Sequence, residues 1–219
     1  MTGGAVKLAC DAVRELLRER AAGEDTPLAT LLAEGPLEST QVHHHRPTHP
    51  LDERGQGDQH LTFSFAAHRA VVDVDVELGL VRVVEMATAQ DVGKALNPLS
   101  VQGQIEGGIA QGVGLAVMAE IQVRDGIVVN PSFTDYLIPT IADMPDVRAE
   151  ILELAQPGAP YGLNGVGEPP TIASTAAVLA ALRDATGNPL TRVPVALRSA
   201  AKTAAVEAIV GGSPTPLSP

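Results

Sequence analysis

The chain has 219 residues, a formal net charge of −11, and only 2% aromatic residues with no tryptophan. That length supports one large domain or two small ones around a real hydrophobic core. The charge excludes the basic footprint of a nucleic-acid surface and disfavours an anionic membrane; it reads instead as solubility. A single cysteine, Cys10, excludes an intrachain disulfide and any cysteine framework for zinc or an iron–sulfur cluster. It fits a reducing compartment. No apolar signal core opens the chain, and no apolar run is long enough to cross a bilayer, so the expected location is cytoplasmic. With Phe63, Phe65, Phe133, Tyr136 and Tyr161 as the whole aromatic complement, the core must be built from Val, Leu, Ile and Ala.

In chain order, Val6, Cys10, Val13 and Leu17 recur at helical spacing and predict a helix over 5–20, within an N-terminal segment 1–22. Residues 23–59 carry Gly, Pro, acids and a His run with little periodicity, and read as a polar linker. From 60 onward the pattern becomes strand-like. Val72, Val74 and Val76 alternate with Asp73, Asp75 and Glu77, then Leu78-Gly79 marks a turn, and 80–89 reads as the second strand of a hairpin. Asn97-Pro98 opens a helix over 99–118. Asp125-Gly126 joins strands over 120–124 and 127–130, the strongest hairpin signal in the chain. Residues 147–154 read as a strand.

The Gly/Pro-rich loop 156–170 precedes a helix from Thr171 to Gly187 that places Ile172, Ala176, Leu179 and Arg183 on one face. A last helix is predicted over 194–209, and the polar, Pro-rich tail 210–219 reads as disordered. Mixed strands, hairpins and several helices without regular βαβ alternation predict an α+β fold for the domain at 60–209.

Two segments carry candidate chemistry. Residues 101–114 place Gly103, Gly107, Gly108, Gly112 and Gly114 in one predicted helix, each at a cost of about 1 kcal/mol relative to Ala. Glycines four apart share a face, so either helices pack closely there or a cofactor approaches the backbone near Gln102, Gln104 or Gln111. The second segment is Gly165-Val166-Gly167-Glu168-Pro169-Pro170. Prolines fix their own φ and bias the preceding residue toward extended geometry, so Glu168 sits on a stiff arm before a helix. That suits a positioned base, and equally a structural carboxylate. His43, His44, His45 and His49 form a cluster without a carboxylate or Cys at ligand spacing; a polar loop is the simpler reading, and a metal-binding module the alternative. Asp91 and Asp135 fit turn or cap roles.

Taken in order, FSFAAHRAVVDVDVELG, ATAQDVGKALNP, GQIEGGIAQGVG, DYLIPT and GVGEPP resemble the C-terminal portion of the large, molybdopterin-binding subunit of the xanthine dehydrogenase and molybdenum hydroxylase family. Residues 43–60 resemble the linker of actinobacterial-type versions. The resemblance spans residues 4–205 and implies the C-terminal part of a molybdenum-cofactor-binding domain. It implies oxidative hydroxylation of a purine such as xanthine or hypoxanthine, with Glu168 as general base. It places Gln104, Ala66, Ala67, His68, Gly107 and Gly108 against the cofactor, with the Ala67 backbone near the metal and no side-chain ligand to it. The implied cofactor is molybdenum–molybdopterin in its cytosine dinucleotide form, with FAD and [2Fe–2S] on partner chains.

The implied partners are the N-terminal remainder of the subunit and the FAD-binding and iron–sulfur subunits, with no nucleic acid and no membrane. The expected state of this chain alone is inactive. Alternatives are a non-catalytic remnant or assembly module of the same complex, and an aldehyde oxidase or CO dehydrogenase-type branch.

Overall fold

The computed structural model describes residues 2–21, 23 and 25–195, and the backbone of a strand at Ala204–Val210. The chain divides into two compact units, one of Met1–Phe63 with Pro157–Gly162, the other of Ser64–Gln156 with Leu163–Pro219. Among the described residues no helix is long and apolar enough to cross a membrane.

The first unit contains α1 (Thr2–Arg20) and the single turn α2 (Leu28–Leu31). Val6 and Cys10 of the α1 stripe are exposed, while Val13 and Leu17 are half-buried. Polar bonds hold the segment that follows. Arg20 donates to the carbonyls of Leu31 and Gly35, each at 3.1 Å. Arg46 grips Asp58 with both terminal nitrogens, one at 2.8 Å, and this guanidinium bond lowers the Asp58 carboxyl below its ordinary range. The His43 ring lies over Gly4, where a Cβ would fall 2.5 Å from it. Among the described residues no three His, Cys, Asp or Glu side chains converge to hold a metal.

The second unit is a four-stranded sheet with two helices on one face. β1 (Ala66–Asp75) and β2 (Leu80–Asp91) form the antiparallel hairpin. Asp75 closes its turn by accepting from the amides of Glu77 and Leu78, and Gly79 supplies the positive φ of 70°. A bulge between Val71 and Val72 leaves Val84 unpaired, so His68, Ala70, Val72 and Val74 face inward opposite Thr88, Met86, Val83 and Val81.

After β2, Asn97 caps α3 (Pro98–Val117), its side chain accepting from Ser100 N at 3.0 Å, with Pro98 in the first turn. The short pair β3 (Val123–Arg124) and β4 (Ile127–Val128) turns through Asp125 and Gly126, both at positive φ, as their type I′ signal requires. β5 (Asp146–Leu152) returns parallel to β2, and α4 (Pro169–Thr186) ends at Gly187, φ 66°. The sheet order is β5-β2-β1-β6, with β6 at Ala204–Val210. Mixed parallel and antiparallel pairing under two helices makes this an α+β fold.

The helix predicted over 194–209 is absent from its described part, since 204–210 is a strand pairing antiparallel with β1 from His68↔Val210 to Val74↔Ala204. The β1 edge offers a row of backbone donors and acceptors, and β-branched Val206, Ile209 and Val210 suit a strand. Residues 196–203, and 211–219 of the predicted tail, lie outside the described residues. Of the residues grouped on one face of α4, Ile172, Ala176 and Arg183 are exposed and Leu179 packs at the edge of the core, while Ser174, Ala177, Val178, Ala181 and Leu182 are buried. Ala177, Val178, Ala181 and Leu182 meet Ile105, Ile109 and Val113 of α3 and Ala70, Val72 and Met86 of the sheet in one aliphatic core.

Candidate active site

The two glycine faces of α3 differ. A Cβ on Gly108 would lie 2.7 Å from Pro170 and 3.3 Å from the Gly167 carbonyl; one on Gly112 would lie 1.8 Å from Ser174 Oγ. Matching 108 with 170 and 112 with 174 makes α3 and α4 run in the same direction in close contact. Thr171 and Thr175 then donate across the seam to the carbonyls of Gly108 and Gly112, each at 3.1 Å. Helix packing therefore accounts for Gly108 and Gly112. Gly103 and Gly107 meet nothing within 4 Å of a hypothetical Cβ, so on that side the α3 backbone is bare. Gln104, exposed beside them, brings its Oε1 to 3.5 Å from where a Gly167 Cβ would stand.

Glu168 is exposed and sits at the N-terminus of α4. Its backbone is not extended, as the following proline suggested, but α-helical at φ −86°, ψ −38°. Its carbonyl already accepts from Thr171 N at 3.0 Å and Ile172 N at 3.2 Å, so the first helical turn imposes the geometry. Pro169 and Pro170 fill the first positions of α4, where an amide hydrogen would have no intrahelical partner. The Glu168 carboxylate thus stands at the positive end of α4, which favours an anion.

The loop leading to Glu168 is tied down residue by residue. Leu163 bridges to Gly93, and Asn164 N donates to Val92 O at 3.0 Å. Gly165 O accepts from Ser64 Oγ at 3.1 Å, and Val166 O from Gln90 Nε2 at 3.1 Å. Gln90 is the β2 partner of Ala66, so the start of β1, the end of β2, the middle of α3 and the Glu168 loop meet at one corner. Asp91 has the turn role expected of it, accepting from Gly93 N at 2.9 Å. Sequence reasoning missed Gln90, Ser64, Thr171 and Thr175. A glutamine at an inward strand position was the available signal, obscured by the bulge that shifts β2 parity.

Ala66, Ala67 and His68 lie in succession on β1, with side chains alternating between faces. Ala67 faces outward, in register with Ala89, over a shallow groove floored by Ala67, Ala87 and Ala89 and edged by Arg69, Arg148 and Glu150. Glu85 pairs there with Arg69 at 2.9 Å and Arg148 at 3.0 Å. His68 faces inward, 2% exposed, with Nε2 hydrogen-bonded to Thr88 Oγ1 at 3.0 Å and Nδ1 without a partner among the described residues.

Burial lowers the His68 pKa from 6.5 to about 4. The unfolded chain therefore takes up this proton first as pH falls. Neutral His68 has no stability penalty above pH 6.5, and stability is lost progressively down to about pH 4. Denaturant unfolding at about pH 7 and about pH 4.5 should show that His68→Phe abolishes a share of the acid sensitivity of roughly 1–3 kcal/mol. Equal acid sensitivity in the variant would contradict a buried neutral ring.

The profile of the molybdopterin cofactor-binding domain matches residues 1–145. A probable xanthine dehydrogenase subunit from Bacillus subtilis (strain 168) is 37% identical over 136 residues, 62% of this chain and 18% of that protein. Among solved structures, the aldehyde oxidoreductase of Desulfovibrio gigas superposes with a TM-score of 0.76 at 29% identity, over 89% of this chain and 21% of that one. Quinoline 2-oxidoreductase from Pseudomonas putida 86 gives 0.56 at 40% identity, over 58% and 17%. The chain spans about a fifth of the length of these relatives.

Proposed function

Because the chain belongs to the molybdopterin cofactor-binding domain family, we propose that it is part of the catalytic subunit of a molybdenum hydroxylase and that Glu168 is its general base. The observation that carries this reading is that Gln104, on the stretch of α3 left bare at Gly103 and Gly107, brings its Oε1 to 3.5 Å from where a Cβ would stand on Gly167, the residue before Glu168. These residues fit the group. A pterin can lie against a helix face that carries no Cβ, and the Gln104 amide offers it both a donor and an acceptor. The start of β1 adjoins this corner through the pairing of Ala66 with Gln90, so Ala66, Ala67 and His68 offer it their backbone, while the Ala67 methyl faces the outer groove. Gly107 gives direct access, whereas Gly108 acts by letting α3 and α4 close on Pro170. When bound, the molybdenum–pterin group accepts two electrons from a substrate carbon. Glu168 holds its carboxylate at the N-terminus of α4 and takes the proton released from the oxygen nucleophile.

The substrate class we propose is a purine, xanthine or hypoxanthine; the 37% identity to a protein with a xanthine dehydrogenase name supports it. The cofactor is proposed in its cytosine dinucleotide form. FAD and [2Fe–2S] reside on partner chains, and the assembly is cytoplasmic. The second reading is an aldehyde substrate, favoured by the fold match that spans 89% of the chain. The chain is expected to need the rest of the subunit in trans. Purified alone it should hold no molybdenum and reduce no dye. Co-expressed with that remainder it should hold metal and reduce dye with xanthine. Full activity from the isolated chain would contradict the dependence, and activity with aldehydes alone would select the second reading.

A further inference from the structure

We infer that Gln90 and Ser64 form a clamp that sets the position of Glu168, a positioning role that rests on the general-base reading. Val166 packs at the edge of the aliphatic core, but the glycines on either side of it are unpacked. A Cβ on Gly165 would meet nothing within 4 Å, and one on Gly167 only Gln104 Oε1. Glycine also leaves the backbone on either side of Val166 free of the usual steric limits. Two side chains add polar restraint: Ser64 Oγ, whose single proton is shared between Gly165 O and Asp91 O at 3.1 Å each, and Gln90 Nε2, which donates to Val166 O at 3.1 Å. Only Gly167 separates the second bond from Glu168. On the other side, Pro170 is wedged against Gly108. Glu168 is therefore held between a hydrogen-bonded clamp and a packed wedge.

Gln90 itself argues for this role. It is 0% exposed, and its Oε1 has no partner among the described residues. An apolar side chain of similar length would fill the same space with no orphaned oxygen. What the amide adds is the bond to Val166, which also fixes its orientation, because only the NH2 end can donate to a carbonyl.

The test uses Gln90→Met, which keeps the volume, and Ser64→Ala, a half-buried site at the start of the second unit that carries the test should Gln90→Met fail to fold. Amide hydrogen exchange across 163–168 of the full chain should accelerate about tenfold in either variant, with α3 and the β1–β2 hairpin unchanged. In the enzyme completed with the rest of the subunit, kcat should fall about tenfold to hundredfold with KM held within about twofold. Adding Gln90→Met to Glu168→Gln should cause no further loss. Unchanged exchange in both variants would overturn the clamp. Faster exchange with unchanged kcat, in an enzyme that does depend on Glu168, would overturn its positioning role. If Glu168→Gln is fully active the general-base reading fails, and exchange alone then decides whether the clamp exists.

Discussion

Gly112→Ala should destabilise the second unit by about 1–3 kcal/mol, in spite of the helix propensity that Ala adds. The new Cβ would fall 1.8 Å from Ser174 Oγ and 3.0 Å from both Ser174 Cβ and the Thr171 carbonyl. Ser174 is fully buried and its hydroxyl donates to Pro170 O, so it cannot swing outward at no cost. The backbone carbonyl of Thr171 can yield only if α4 moves. That movement would also stretch the Thr175 bond to Gly112 O. Ser174→Ala should recover part of the loss, because it removes the nearest atom and leaves the two 3.0 Å contacts. Gly107→Ala, on the same helix, should be stabilising by up to about 1 kcal/mol, since nothing stands within 4 Å of its Cβ. Denaturant unfolding of the three variants and the Gly112→Ala/Ser174→Ala double variant gives both the order and the coupling. Equal effects at 107 and 112 would contradict the assignment of one face to packing and the other to open backbone.

Much of the fold was legible because the signals were local. Val72, Val74 and Val76 announced a strand with one buried face, Asp125-Gly126 a tight turn, and Asn97-Pro98 a helix start, and all three are formed. What was not legible depended on distant partners. Residues 204–210 contain good helix formers, yet they pair with the β1 edge, where the local preference competes with a long ladder of backbone bonds. The buried face of α4 sets small residues, Ser174, Ala177 and Ala181, beside Val178 and Leu182, and Ser174 stands where Gly112 brings α3 near. Helical spacing grouped Ile172 with Leu179, yet Ile172 is exposed and Leu179 packs at the edge of the core.

The candidate site divides in the same way. Glu168 stood out through its flanking glycines and prolines, and five glycines in one helix marked α3 as unusual. Which glycines pack and which stay open could not be read from spacing, since both pairs are four apart. Gln90 was hidden by the Val84 bulge. Counting alternate residues from Val81 and Val83 points Glu85, Ala87 and Ala89 inward, whereas the bulge turns Met86, Thr88 and Gln90 inward. The glutamine that reaches Val166 therefore becomes visible only with the register in hand.

Under the proposed function the proton moves to Glu168. Glu168→Gln keeps the size of the side chain and its place at the N-terminus of α4 and removes its ability to accept a proton. The side chain is exposed and makes no capping bond, so its replacement should leave stability within about 0.5 kcal/mol. General-base catalysis contributes about 10²–10⁴-fold, and the loss should fall on kcat and kcat/KM together, because a base acts in the transition state and not in binding. The decisive measurement is substrate-dependent dye reduction by wild-type and Glu168→Gln enzymes, each completed with the rest of the subunit and matched for molybdenum content. Equal metal content with turnover reduced at least about 100-fold is the predicted result; turnover within about twofold of wild type at equal metal content would contradict it.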